Sequence, residues 1–258
     1  MMSPVAGKRD PSTEAVRTLR SLWRATPSVR PGPTSALSLD ALVTTAIAIA
    51  DTEGLAKLSI RRVATELGIS PMSVYTHVAT KAELLELMTD TAHGELADPG
   101  PVAERWQDRI AEIARTNLDL LIRHPWLVEQ PPGRPPLGPG TTGKYERELT
   151  ALDGLGLDDI TLDAALSFVL GFVRGAARDR IAAQNTVADS ETDEQWWAAR
   201  AATLAELMPA EDYPLAVRVG SAAGAAQDAA WDPLAAFEFG LARVIDGLAP
   251  LLDQHGDR

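Results

Sequence analysis

The chain has 258 residues, 24 Lys+Arg against 36 Asp+Glu for a net charge of -12, 45% hydrophobic residues and no cysteine. That length accommodates one or two domains, and the apolar share can fill a core, which excludes a wholly disordered acidic chain. The lack of cysteine excludes a disulfide framework, a thiolate zinc site and a cysteine nucleophile, and fits a reducing cytoplasm. The charge is uneven: residues 1–81 hold 10 basic and 6 acidic residues, residues 82–258 hold 14 and 30. A small basic module on an acidic body grips phosphate locally, whereas the acidic total argues against a broad nonspecific nucleic-acid coat.

Residues 1–37 are rich in Pro, Ser, Thr and Arg and lack an apolar run of signal-peptide length. They read as a flexible basic arm, with Pro27, Pro31 and Pro33 opposing regular structure near its end. From Leu39 the pattern turns helical. Leu39, Leu42, Val43, Ala46, Ile47 and Ala50 recur at i, i+3, i+4, i+7, i+8 and i+11, predicting a helix over 39–53 between the cap Ser38 and the stop Gly54. Ile60, Val63, Ala64 and Leu67 predict a second, short helix between Ser59 and Gly68. Ser70 caps a third, with Pro71 at its first position, where a missing N–H is harmless, and Val74 and Val78 facing inward. Thr80 caps a fourth, whose Leu84, Leu85, Leu87, Met88 and Ala92 face the core until Asp98-Pro99-Gly100-Pro101 ends it. The expected division is an arm over 1–37, a helix-turn-helix domain over 38–97 and a helical body over 98–258.

In the body, apolar stripes predict helices near 102–124, 140–153, 158–185, 193–208 and 233–253, with no alternating strand and no internal repeat. The Pro/Gly-rich segment 131–136 reads as a mobile or hinge-like loop. The consistent fold class is all-α, with nine or ten helices. The most apolar stretch, Leu166 to Val173, stops at Arg174, so no segment is expected to span a bilayer and the chain is expected in the cytoplasm.

Two short helices joined at Gly68-Ile69-Ser70 make a helix-turn-helix, which lays the second helix in a major groove about 12 Å wide while the first crosses the backbone. Such pairs also occur as plain packing units, so residue content decides. The run Arg61-Arg62-Val63-Ala64-Thr65-Glu66-Leu67-Gly68-Ile69-Ser70-Pro71-Met72-Ser73-Val74-Tyr75-Thr76-His77-Val78-Ala79-Thr80-Lys81 resembles the DNA-binding domain of the tetracycline-repressor (TetR) family. The resemblance runs from about Leu39 to Met88 and is carried by Tyr75, His77, the Thr80-Lys81 helix start and the Leu84-Leu85 pair. It implies a double-stranded DNA operator as partner, met by Arg61, Arg62, Ser70, Met72, Ser73, Tyr75, Thr76, His77 and Lys81. Arg61 reads a guanine edge or clamps a phosphate; Arg62 is a contact or a solvated charge. Ser73 suits a base edge, Tyr75 and His77 suit phosphate or sugar, and Lys81 suits the backbone as a point charge. The lesser alternative for Tyr75 is a ring half in the core with only its hydroxyl emerging, and for His77 a merely solvated histidine. Pro71 and Met72 differ from the residues of the tetracycline repressors themselves, so their operator is not carried over. Arg30-Pro31-Gly32-Pro33 reads as a linker, or as a minor-groove arm.

The body resembles the family's C-terminal domain more loosely, through His124-Pro125-Trp126-Leu127, the Pro-rich loop up to Pro139-Gly140 and the Leu166-to-Gly175 helix. This implies a small-molecule inducer of unspecified identity, bound within each subunit, and a homodimer formed by late helices, here 162–177 and 233–253. Trp106, Asn117, Trp126, Phe168, Phe172 and Arg174 are the residue types such pockets use. His93, His124 and His255 do not form a metal pair, and no metal or cofactor is expected.

Two other classes are set against this reading. Gly138-Pro139-Gly140-Thr141-Thr142-Gly143-Lys144-Tyr145 nearly spells a nucleotide-binding P-loop, but Tyr145 stands where Ser/Thr should hold magnesium and no strand precedes it. Lys144 is therefore expected as a solvated charge, and no enzyme activity is expected. A helical adaptor without DNA binding would have no need of Arg61, Tyr75 and Lys81 on one face.

Overall fold

The computed structural model describes residues 11–24, 38–96, 103–130, 134–188, 193–227 and 232–253. The Asp98–Pro101 break, the Arg30–Pro33 segment, Pro131–Gly133 and His255 fall outside them. Among the described residues there are twelve helices and no strand: α1 (Pro11–Leu22), α2 (Leu39–Glu53), α3 (Ile60–Glu66), α4 (Pro71–Tyr75), α5 (Lys81–Gly94), α6 (Trp106–Arg123), α7 (Trp126–Glu129), α8 (Pro139–Leu152), α9 (Asp159–Ala188), α10 (Asp193–Leu207), α11 (Pro214–Gln227) and α12 (Pro233–Asp253). The all-α class holds, but the count exceeds the expected nine or ten: α1 falls in the segment read as an arm, α7 is only four residues long, and α11, rich in Ala and Gly, has no marked apolar stripe.

The chain divides into two compact units, one of residues 1–103 and 119–153, the other of residues 104–118 and 154–258. Helix α6 begins in the second and ends in the first.

In the first unit, α2 to α5 start where their caps dictate. The hydroxyls of Ser38, Ser59, Ser70 and Thr80 accept from the backbone N–H three residues on, at Ala41, Arg62, Ser73 and Glu83, at 3.0 to 3.2 Å. Each such cap is worth about 1 kcal/mol. Caps alone cannot hold α4, which at five residues lies far below the length at which an isolated helix persists. Packing does so: Leu42, Val43 and Ala46 of α2, Val63 and Ala64 of α3, Val74 of α4 and Leu84, Leu87 and Met88 of α5 close one core, joined by Val78, Leu22, Leu120, Trp126 and Leu127. A fully buried Val or Leu contributes about 1.5–3 kcal/mol, so this core fixes the short helices.

Two expectations are corrected here. Residues 11–22 are not a flexible arm but helix α1, packed on α5. Its buried side is Thr18, Ser21 and Leu22, its apolar Val16, Leu19 and Trp23 face outward, and Arg17 pairs with the buried Glu83 at 2.7 Å. Trp23 Nε1 donates to the Leu137 carbonyl and Arg24 pairs with Asp40, so α1 also reaches the segment before α8 and the start of α2. Nor is Lys144 solvated. It is 8% exposed and ion-paired to Glu148 one turn along α8, while burial pushes its ammonium below the usual lysine range.

Helix α8 meets α5 through the missing side chain of Gly140. A Cβ there would collide with the backbone carbonyl of Asp90. The Asp90 carboxylate accepts from the Gly140 and Thr141 N–H groups at 3.3 and 2.8 Å, and so occupies the α8 N-terminus where a nucleotide phosphate would have to sit.

In the second unit, α9 and α12 form the principal pair, with Phe172 and Phe237 stacked at 5.6 Å between ring centroids. The stripe Phe237, Leu241, Val244, Leu248 and Leu252, expected at a subunit boundary, is buried within the subunit. Phe168 on α9, with Leu234, Phe239 and Leu251 on α12, remains exposed. Helix α9 is covered on one side only: Ala165, Leu166, Val169, Val173 and Ala177 are buried while Phe168 is 55% exposed. On length and composition, residues 159–184 pass as a membrane-spanning candidate, contrary to the sequence expectation. Its buried face accounts for part of that apolarity.

Candidate nucleic-acid interface

The reading unit is α3, the turn 67–70 and α4. Gly68 adopts φ +65°, the left-handed conformation that glycine takes without penalty, and Ile69 N–H returns to the Ala64 carbonyl at 3.0 Å. The chain thus reverses in a few residues and delivers Ser70 to cap α4. Val74 and Val78 anchor the inner side. The outer side then presents Met72, 74% exposed, Tyr75, 50% exposed, and Thr76, with Ser73 and His77 half-buried.

The expected contacts divide by what already occupies them. Arg61 is exposed, and among the described residues its guanidinium makes no hydrogen bond or ion pair. Arg62 is partly exposed and pairs with Glu53 and Glu66, both at 2.7 Å, so a DNA contact from it competes with two surface ion pairs. These carboxylates raise its guanidinium further above the ordinary arginine range. Ser70 is spent on the α4 N-terminus and lies 2.9 Å from the Ser73 hydroxyl. The Thr76 hydroxyl donates to the Ser73 carbonyl. Lys81, at the first position of α5, donates to the Leu55 carbonyl at 3.1 Å, which fixes its exposed ammonium over the turn after α2. That turn also carries exposed Lys57, a basic residue the helix-turn-helix pattern does not single out.

The six residues expected around a small molecule divide between the two units. Trp126 is in the first unit, 0% exposed and part of that unit's core, with its indole N–H donated to Asp51 at 2.7 Å. Trp106, Asn117, Phe168, Phe172 and Arg174 are in the second unit. Asn117 is buried and donates to the Ile113 carbonyl, Phe172 lies against Phe237, and Trp106 is half-buried. Arg174 is half-buried too, and burial together with the charge of Arg178 lowers its guanidinium from the ordinary value. Among the described residues no group of three or more His, Asp or Glu is placed to hold a metal ion.

A fixed turn, an inward pair of valines and an outward row of hydroxyl, aromatic and basic tips define a helix-turn-helix DNA reader joined to a second helical unit. Comparison with known proteins agrees. Residues 98–252 match the family model for the tetracyclin repressor-like C-terminal domain. The chain is 36% identical over 245 residues to the HTH-type transcriptional repressor DrrR1 of Streptomyces coeruleorubidus, covering 94% of this chain and 88% of that one. Among solved structures, apo ActR of Streptomyces coelicolor superposes with a TM-score of 0.67 at 30% identity, over 84% of this chain and 97% of that one. ActR in complex with actinorhodin gives 0.69 at 29% identity, over 86% and 99%. The chain belongs to the tetracycline-repressor family, and it is a ligand-responsive, DNA-binding regulator of the dimeric repressor type.

Proposed function

We propose that this protein is a cytoplasmic homodimeric repressor without enzyme activity that reads a twofold-symmetric operator with α4 and lets go when a small aromatic molecule binds the second unit. The observation that carries the reading is the contrast between Arg61, whose guanidinium is uncommitted, and Arg62, tied to two carboxylates. Arg61 and Ser73 contact base edges; Tyr75, Thr76 and His77 contact phosphate or sugar, and Met72 packs on a thymine methyl; Lys81, with Lys57 beside it, fixes the backbone. Functionally, residues 38–97 form the reading head and 98–258 the inducer-binding and dimerising body. Phe168, Leu234 and Phe239 supply the subunit contact, since these large apolar side chains are exposed in the single subunit.

For the inducer, Trp106, Asn117, Phe172 and Arg174 favour a flat aromatic bearing an acidic group. Aromatic faces stack on it, and its acidic group pairs with the half-buried Arg174 guanidinium. ActR, a relative of similar fold, is known in complex with actinorhodin and with (S)-DNPA, so these two are the first compounds to test. Binding would favour a conformation whose two reading helices are wrongly spaced. The experiment is selection of bound duplexes from random DNA, followed by titration of the complex with each compound. Release of the selected DNA supports the reading; affinity unchanged by any flat acidic aromatic contradicts the inducer class. Failure to enrich any duplex favours an adaptor.

A further inference from the structure

Three helix ends meet at one buried ring in the first unit. His124 follows the last residue of α6, Asp51 lies in the last turn of α2, and Glu95 is the C-cap of α5. The ring is 3% exposed. Its Nδ1 lies 2.8 Å from Asp51 Oδ1 and its Nε2 2.9 Å from Glu95 Oε2. The same Asp51 oxygen accepts from the Trp126 indole, and the Arg123 guanidinium lies 3.4 Å from the same Glu95 oxygen.

A neutral imidazole has one N–H and one bare lone pair. With a carboxylate oxygen at each nitrogen, a neutral ring, itself shut off from water, would turn its lone pair onto a partly exposed anion. The surrounding backbone adds to that penalty. Each helix ends with a partial negative charge, and the C-terminal ends of α2, α5 and α6 all converge here. The charged groups on these elements in contact with the ring or its partners are Asp51 from α2, Glu95 from α5 and Arg123 from α6, so one guanidinium stands against two carboxylates. A ring that donates from both nitrogens satisfies both contacts and balances the charge.

We propose that His124 is a cationic pin: it donates to Asp51 and to Glu95 at once and so holds α2 and α5 of the reading head to the end of α6. It touches no DNA and is a positioning residue. Its effect on DNA binding runs through α2 and α5, which set the orientation of α3, α4 and Lys81.

The test uses the full-length protein labelled with 15N at histidine. Ring-nitrogen resonances of His124 are identified by their loss in His124→Gln, or, should that variant not fold, by eliminating those lost in His77→Gln, His93→Gln and His255→Gln. Protons on both His124 nitrogens at neutral pH support the pin; a bare nitrogen overturns it. The second readout is affinity for a duplex selected from random DNA by the unmodified protein. His124→Gln is expected to weaken binding about tenfold, and Glu95→Gln added to it to cost no more than about twofold further. Losses that simply add, or no loss from His124→Gln, overturn the coupling. Where His124→Gln does not fold, Asp51→Asn and Glu95→Gln are combined with the ring retained. A combined loss different from the sum of the two supports a shared ring, and a strictly additive one overturns it.

Discussion

At the residue scale, what a side chain already holds decides what it can offer to DNA. Lys81 keeps its ammonium exposed while anchored on Leu55, so Lys81→Ala is expected to weaken binding to all sequences alike and to lower the salt slope by about 1, read by affinity over a salt series. Arg61 is uncommitted, so Arg61→Ala should instead relax preference at one base position by about 1–3 kcal/mol, read by affinities for single-base variants of a selected duplex. Gly140 is a different kind of residue. A methyl there meets the Asp90 backbone, which cannot swing aside as a side chain can, so Gly140→Ala should lower stability by about 1–3 kcal/mol in denaturant unfolding. Lys144 shows the limit of reading residues singly: its pattern predicts a surface charge near a helix start, and only the partner Glu148 explains its burial. His124 is similar, because Asp51 and Glu95 come from distant parts of the chain.

At the element scale, helices whose ends carry local chemistry are the legible ones. Ser38, Ser59, Ser70 and Thr80 mark the starts of α2 to α5 because a capping hydroxyl acts within three residues, and Gly68 marks the turn because few other residues adopt its φ. Helix α1 is hidden for the opposite reason. It buries Thr18 and Ser21 and exposes Val16 and Leu19, which inverts the pattern that periodicity reads. Removing residues 1–24 is therefore expected to destabilise the reading head, leaving Glu83 buried without Arg17, and a lowered thermal midpoint of the truncated protein would show it. Helix α11, rich in Ala and Gly, offers no stripe at all. Helix α9 gives a pH prediction. Asp158 accepts from the Thr161 N–H and hydroxyl and from the Ile160 N–H, which hold its carboxyl below the usual range. A depressed carboxyl stabilises the fold above the unfolded value, about 3.9, and loses that contribution as pH falls through the folded value. The stability difference between the unmodified protein and Asp158→Ala should accordingly be full at neutral pH and vanish in acid, as followed by thermal unfolding across pH.

At the scale of the whole molecule, fold class and family were legible because the reading head combines local caps with a specific residue set. The ligand site was not. Phe168, Phe172 and Trp126 are alike in sequence, yet one is exposed, one stacks on Phe237 and one lies in the other unit's core, and only the fold separates those fates. Helices α9 and α12 leave Phe168, Leu234 and Phe239 exposed, and in the dimer proposed above two α4 helices would meet one duplex. The most direct measurement is the base composition of duplexes enriched by the full-length protein from a random pool. A twofold-symmetric site is predicted, with half-sites about one helical turn or a multiple of it apart, and with one half-site position losing its preference in Arg61→Ala. An asymmetric site, or enrichment unaffected by Arg61→Ala and Lys81→Ala, would contradict the account.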